Sequence, residues 1–322
     1  MFLLFLVLGT LWILCFRGAA TLRVAEGPIF GTTYHIKYEA AESLDSAILA
    51  ELKRVDASLS VFNPLSTISK INAGKTNKAD FMLYEVLQKA QKVSEFTNGA
   101  FDVTVMPLVN AWGFGFKKGQ LPTDNQVDSL RKIVGFCHIS LTNDSLVLKD
   151  NPQVMIDCGA IAKGYGVDRV AKVLRDHGVR NYMVEIGGEV VTKGRNPETK
   201  KAWQIGISKP IEGKGVNNGD LQTILSLENA AMATSGNYRN YYERQGRKYA
   251  HTIDPRTGRP VQHSLLSATV LAPDCATADA YATAFMVLGI DKAQNVIRKN
   301  KQIRAYLIYA DEKGKLKTLD LL

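Results

Sequence analysis

Residues Val154–Asp168, VMIDCGAIAKGYGVD, decide the fold. Val154, Met155 and Ile156 form a short apolar run that reads as a buried strand, and Asp157 ends it. Gly159 and Gly164 loosen the chain. A helical pattern follows, with Val167, Val170, Ala171 and Leu174 on one face and Gly178 as its stop. A strand that breaks at an aspartate and resumes as a helix through glycines gathers a carboxylate, a lysine (Lys163) and free backbone groups at one point. Such a point can hold a phosphorylated ligand together with a cation.

Before this stretch, Thr32–Tyr38 alternates as a strand and Ser43–Val55 carries helical spacing. Ser66 and Asp80 are expected helix caps, the second for a helix with Leu83, Val86, Leu87, Ala90 and Val93 inward. Phe101–Met106 is predicted to be extended, Asp124–Ile133 helical and Leu146–Lys149 a short strand. Trp112–Phe116 is a glycine-aromatic loop. After the stretch, Tyr182–Ile186 and Val190–Lys193 flank Gly187-Gly188 as a hairpin. Trp203–Ser208, Thr223–Leu227, Tyr249–Ile253, Leu266–Leu271 and Ala305–Tyr309 read as strands, and Asn196–Lys201 and Glu212–Asp220 as polar loops. Ala276–Leu288 is an alanine-rich helix stopped by Gly289, with Ala293–Arg298 helical beyond it. Strands outnumber βαβ alternations. The prediction is therefore an α+β fold with mixed or antiparallel sheets and packed helices, not a doubly wound sheet.

The 322 residues are 46% hydrophobic and 22% charged, enough for one large domain or two intimately joined lobes. The formal net charge is +9, but Lys and Arg are scattered and no nucleic-acid motif is present, so nucleic acid is not an expected partner. The charge reads as a solvated surface with some bias toward a phosphate ligand and an anionic membrane. The absence of a G-x-G-x-x-G or Walker loop argues against a dehydrogenase or NTPase. The first sixteen residues, MFLLFLVLGTLWILCF, carry no charge. Residues 1–20 are expected to be an export signal or membrane anchor, and 21–322 the functional domain. Cys15 loosely resembles a lipoprotein processing site, although bulky Leu14 stands where a small residue is expected. Cys137, Cys158 and Cys275 make no disulfide framework, and no C-x-x-C exists for zinc. Cys158 is expected to be a buried bystander.

Asp279 and Thr283 lie one helical turn apart and face the same way. A carboxylate and a hydroxyl, completed by a backbone carbonyl, make an all-oxygen set suited to Mg²⁺. Lys163 can neutralise a phosphate as a point charge. His251 heads a turn and can handle a proton near neutral pH. Thr234-Ser235-Gly236 offers hydroxyls and a flexible backbone near a phosphate. Taken singly, each of these has an ordinary structural explanation.

Five motifs taken together do not. Asp157-x-Gly159-Ala160-Ile161-Ala162-Lys163-Gly164-Tyr165-x-Val167-Asp168, His251–Pro260, Ala278–Ala284, Gly31–Tyr34 and Gly99–Asp102 occur in one order from about Phe30 to Gly289. This set resembles the ApbE family, the FAD:protein FMN transferases. The resemblance implies an ApbE-like fold with the FAD site between two joined lobes. It implies FAD as a substrate, contacted by Phe30, Phe62, Ala100, Phe101, Asp102, Asp157, Lys163 and Ile253, with Thr234, Ser235 and Gly236 nearby. It implies Mg²⁺ held by the Ala160 carbonyl, Asp279 and Thr283, and His251 as proton handler with Asp157 able to share that role. Phe30 stands where Met is common and Phe62 where Tyr is common, so stacking is kept while a phenolic hydrogen bond is lost. The activity implied is transfer of the FMN moiety of FAD to a Thr or Ser hydroxyl of an acceptor flavoprotein, with release of AMP, at the periplasmic face of a membrane in the cell envelope. An Mg²⁺-dependent FAD pyrophosphatase and a non-catalytic FAD-binding protein are the alternatives.

Overall fold

The computed structural model describes residues 19–115, 121–210, 220–237, 241–244 and 247–322. The uncharged N-terminal run with Cys15, Phe116 and most of the Glu212–Asp220 loop lie outside the described residues.

In chain order, β1 (Thr21–Ile29) and β2 (Thr32–Ala40) lead into α1 (Asp45–Leu59), α2 (Thr67–Asn72), α3 (Phe81–Phe96), α4 (Met106–Ala111) and α5 (Asp124–Arg131). A small hairpin, β3 (Ile139–Leu141) and β4 (Val147–Lys149), precedes α6 (Ala162–Asp176). Then come β5 (Tyr182–Ile186), β6 (Glu189–Lys193), β7 (Trp203–Ser208), β8 (Leu221–Leu227) and β9 (Ala230–Gly236). Four short strands follow: β10 (Tyr241–Arg244), β11 (Arg247–Ala250), β12 (Ile253–Asp254) and β13 (Arg259–Pro260). The chain ends with β14 (Leu265–Ala272), α7 (Cys275–Leu288), α8 (Ile290–Lys299), β15 (Arg304–Ala310) and β16 (Leu316–Leu321).

Eight of these strands form one sheet in the order β1-β2-β5-β6-β9-β14-β15-β16, with every neighbouring pair antiparallel. The fold is α+β. Alternation along the strands sorts its two faces. On one face Tyr34, Ile36, Tyr38, Tyr182, Val184 and Ile186 pack against Ile48 and Leu52 of α1 and Val167, Val170 and Leu174 of α6. Each such large apolar side chain contributes about 1.5–3 kcal/mol on burial. Further along the same sheet, Ala233, Ala268 and Val270 meet α7. That helix is buried nearly all round, and its alanines let neighbouring backbones come close. On the other face Val190, Met232 and Leu271 pack on Trp203, Ile205 and Leu227 of the β7–β8 hairpin.

Two tight turns position the site. Phe30 (φ 50°) and Gly31 (φ 73°) join β1 to β2, and Gly187 (φ 63°) and Gly188 (φ 107°) join β5 to β6. Two-residue turns with both φ values positive match the twist of antiparallel strands. A phenylalanine in the left-handed region is strained by about 1–3 kcal/mol, so its placement must be enforced by its surroundings.

The structure corrects three expectations. Val154 and Ile156 are buried, but the run joins no sheet. Its ladder is supplied by a side chain: Asn72 Nδ2 donates to the Ile156 carbonyl at 2.7 Å, and Asn72 Oδ1 accepts from the Ile156 amide at 2.8 Å. Phe101–Met106 is a sequence of turns leading into α4, because Asp102 draws the chain round to itself through the Thr104 amide and hydroxyl and the Phe136 amide. Thr234–Gly236, where the sequence predicts a flexible backbone, is the end of strand β9 and is paired to Thr269, Ala268 and Ser267 of β14.

Candidate active site

The centre of the site follows from one missing side chain. A Cβ at Gly164 would lie 2.3 Å from the Cys275 carbonyl oxygen, so only glycine lets α6 and α7 approach this closely. The approach brings the Gly164 amide to Asp279 Oδ2 at 3.1 Å. One residue earlier, Lys163 leaves the N-terminus of α6 and runs over Gly187, where a Cβ would meet its Cδ at 3.4 Å. Its ammonium ends 2.6 Å from Glu189 Oε1 and 3.8 Å from Asp279 Oδ1. The second oxygen of Glu189, Oε2, is buried and has no hydrogen-bond partner among the described residues.

Burial alone would lower the Lys163 pKa, but the Asp279 and Glu189 carboxylates outweigh it and hold the ammonium charged well above its ordinary range. Burial raises the Glu189 pKa, with the Lys163 ammonium at 2.6 Å opposing the shift and Asp279 adding to it. Two carboxylates share one ammonium in a poorly hydrated place. The group is one positive charge short of neutral when fully ionised, and an unpaired buried oxygen adds to that demand. Such a place attracts a cation.

Lys163 also stands where two cavities meet. One, of about 510 Å³, is largely apolar and is lined by Phe30, Gly31, Val55, Leu59, Val61 and Phe62, with Asp157, Gly159 and Ala162 beside Lys163. Phe30 is held there by contact with Gly166, where a Cβ would meet its ring at 2.7 Å. Phe62 is 79% exposed at the rim. Asp157 accepts from the Gly159 amide at 2.8 Å, and burial raises its pKa against that bond. The second cavity, of about 450 Å³, is the more polar of the two; Lys163, Gly187, Gly188, Glu189, Thr234, Ser235, Gly236, His251, Thr252 and Thr283 line it, together with apolar Ile205, Met232 and Met286. Ser235 and Thr283 face each other with their hydroxyl oxygens 3.3 Å apart, and Thr234 bonds Thr269 at 2.8 Å. The His251 ring meets Phe114 edge to face at 6.4 Å. Each cavity has the size of a small-molecule site, and together they offer an apolar slot joined to a polar, charged one.

Sequence-predicted residues therefore divide. Phe30, Phe62, Asp157 and Lys163 come together at the apolar cavity, and Lys163, Thr234, Ser235, Gly236, His251 and Thr283 at the polar one, with Asp279 directly behind Lys163. Ala100, Phe101, Asp102, Ala160 and Ile253 line neither cavity. Phe101 is in the main core and Ile253 packs with Leu108, Trp112 and Val127. Asp102 is nearly buried, its carboxylate occupied by Thr104 and Phe136. Cys158 is fully buried, and burial with the Asp157 charge raises its thiol far above the range of a nucleophile. Glu189, which belongs to no motif, also stands in the site. Its signal was a carboxylate at an inward position of an otherwise apolar strand, immediately after two turn glycines.

Among the described residues no three His, Cys, Asp or Glu side chains cluster as a metal site. The donors present are Asp279 behind Lys163 and the Thr283 and Ser235 hydroxyls, an all-oxygen set with a net negative neighbour. That chemistry fits Mg²⁺, which takes few protein ligands and fills its shell with water and phosphate oxygens.

The chain matches the family model of the ApbE family over residues 30–307. A protein of Haemophilus influenzae named FAD:protein FMN transferase is 42% identical over 306 residues, covering 89% of this chain and 86% of the relative. A protein of the same name from Vibrio cholerae is 39% identical over 299 residues, covering 89% and 87%. The solved structure of a flavin transferase ApbE from Vibrio cholerae superposes with a TM-score of 0.83 at 37% identity, covering 94% of this chain and 97% of that one.

Proposed function

The chain belongs to the ApbE family, and from that premise we propose that it transfers the FMN moiety of FAD to a protein. The observation that carries the proposal is the meeting of an apolar and a polar cavity at one half-buried, charged lysine. FAD has the same division: a flat apolar ring system, then a diphosphate, then a polar nucleoside.

In this proposal the isoalloxazine lies in the apolar cavity, against Phe30 and under Phe62, with Asp157 as a hydrogen-bond acceptor at its edge. The diphosphate crosses Lys163, whose ammonium offsets its charge. The adenosine side extends into the polar cavity among Thr234, Ser235 and Gly236. Asp279 and Thr283, with the Ala160 carbonyl, would hold Mg²⁺, which when bound supplies Lewis-acid neutralisation of the diphosphate. The oxygen of an acceptor Thr or Ser attacks the FMN-side phosphorus. The bond from that phosphorus to the bridging oxygen breaks, and AMP leaves with that oxygen. The acceptor's hydroxyl proton passes to His251. FMN remains on the acceptor as a phosphoester. Residues 1–20, uncharged through residue 16, would anchor the enzyme on the extracytoplasmic side of a membrane.

The test is incubation of the purified protein with FAD, Mg²⁺ and an acceptor flavoprotein, followed by a denaturing gel. Flavin fluorescence that stays with the acceptor band, and disappears when a chelator removes Mg²⁺, supports the proposal. Fluorescence found only as free FMN would point to a pyrophosphatase.

A further inference from the structure

We propose that Glu189 is a positioning residue for the transfer: it fixes the Lys163 ammonium at the junction of the two cavities. The inference rests on the FMN-transfer reading above.

Glu189 opens strand β6 and pairs with Ile186 across the Gly187-Gly188 turn, so its side chain takes the helix face of the sheet. It is 1% exposed. Nothing in the packing of that face requires a carboxylate, since its neighbours along the sheet are apolar. Taking a carboxylate out of water costs several kcal/mol unless partners repay it. Here only half of the partners are present. Oε1 has Lys163 at 2.6 Å, and Oε2 has no hydrogen-bond partner among the described residues. The large majority of buried side-chain oxygens have a hydrogen-bond partner, and an unpartnered one calls for an explanation. A half-satisfied carboxylate, on the wall of a polar cavity, is kept for what it does to its single partner.

That partner has two places to go. The Lys163 stem crosses the Gly187 turn, and its ammonium lies between Glu189 and Asp279. Asp279 is 1.2 Å further away than Glu189 in this arrangement, at 3.8 Å against 2.6 Å. With Asp279 engaged by Mg²⁺ in the transfer proposed above, Glu189 is the carboxylate left to hold the ammonium, and with Glu189 neutral the ammonium is released from the junction. With Glu189 charged, it stays where a diphosphate passing from one cavity to the other must meet it.

Charge and position make opposite forecasts, which allows a clean test. If Glu189 acted only through its charge, replacing it by glutamine would remove repulsion toward FAD, tightening binding and leaving the rate unharmed. If it positions Lys163, glutamine lowers the rate at saturating FAD while FAD affinity holds or tightens. The experiment is single-turnover AMP release and FAD titration on wild type, Glu189→Gln, Lys163→Met and the double variant, with thermal melting of each. The expected result is a drop of about tenfold or more in the saturated rate for Glu189→Gln. In the Lys163→Met background the same change has less than about twofold effect, because there is no ammonium left to place. Glu189→Asp, whose carboxylate is withdrawn by one methylene, is expected to restore only part of the rate. A saturated rate unchanged in Glu189→Gln overturns the proposal. So does a full drop that persists without Lys163, or a loss accounted for by a lowered melting temperature. A wild type that binds FAD but releases no AMP counts against the transfer reading itself, and is distinguishable from all of these.

Discussion

The Gly164 amide donates to Asp279 Oδ2 at 3.1 Å, and the same glycine allows α6 to touch the Cys275 carbonyl of α7. One backbone contact thus sets both the packing of two helices and the orientation of a site carboxylate. A methyl group at this position would lie 2.3 Å from that carbonyl oxygen and 2.9 Å from the Ala276 Cα, and neither is the end of a flexible side chain. Gly164→Ala is predicted to destabilise the protein by about 1–3 kcal/mol, as overpacking does. Urea denaturation measures it, and a midpoint equal to wild type would show that the helices are free to separate.

Phe62 lines the apolar cavity yet is 79% exposed, so it adds little to the fold. Phe62→Ala is predicted to change stability by less than about 0.5 kcal/mol. The same change is predicted to weaken FAD binding by about tenfold, the scale of one lost aromatic stacking partner. Phe62→Tyr should retain the affinity. Quenching of flavin fluorescence on titration reads both, and wild-type affinity in the alanine variant would place the ring system elsewhere.

Asp168, on α6, accepts from the Cys275 and Ala276 amides at 2.9 Å each. Burial, helped by the Asp274 charge, pushes its carboxyl up to about 7, against those two bonds and Lys89. The raised value means that the folded protein binds this proton more tightly than the unfolded chain does. The stability from this group is therefore complete below its ordinary value of 3.8 and is lost as pH rises toward about 7. Asp168→Asn is predicted to flatten that decline. Denaturation of both proteins across this range tests it, and parallel curves would contradict it.

His251 lines the polar cavity with Lys163 and Thr283, whereas Asp157 lines the apolar one. In the proposed transfer, this separation gives the acceptor's proton to His251 and leaves Asp157 at the flavin. His251→Ala is predicted to lower single-turnover AMP release by about 10²–10⁴-fold, the usual worth of general base catalysis, with FAD affinity within a few fold. Lost affinity with an intact saturated rate would make the histidine structural.

The helices and hairpins around the site were legible because their signals are local. The period of Val167, Val170, Ala171 and Leu174 marks α6, the paired glycines mark the β5–β6 turn, and the Gly289 stop marks the end of α7. Val154–Ile156 misled because its pairing comes from Asn72, a side chain more than eighty residues away, which leaves no periodic trace. Asp279 and Thr283 share a helix face that spacing alone discloses. Their neighbour Ser235 does not, because the contact depends on α7 crossing the end of β9. The two cavities are likewise built from segments remote in sequence. Phe30 and Phe62 enter by way of a strained turn and a loop, and only the folded chain brings them to Asp157.

The most direct test of the account measures AMP released and flavin attached in one reaction containing FAD, Mg²⁺ and an acceptor flavoprotein, repeated with the acceptor's target Thr or Ser changed to Ala. One AMP per covalent FMN is expected, with loss of both products when the acceptor hydroxyl is gone. AMP and free FMN accumulating at the same rate without that hydroxyl would contradict it, and would assign the site to hydrolysis.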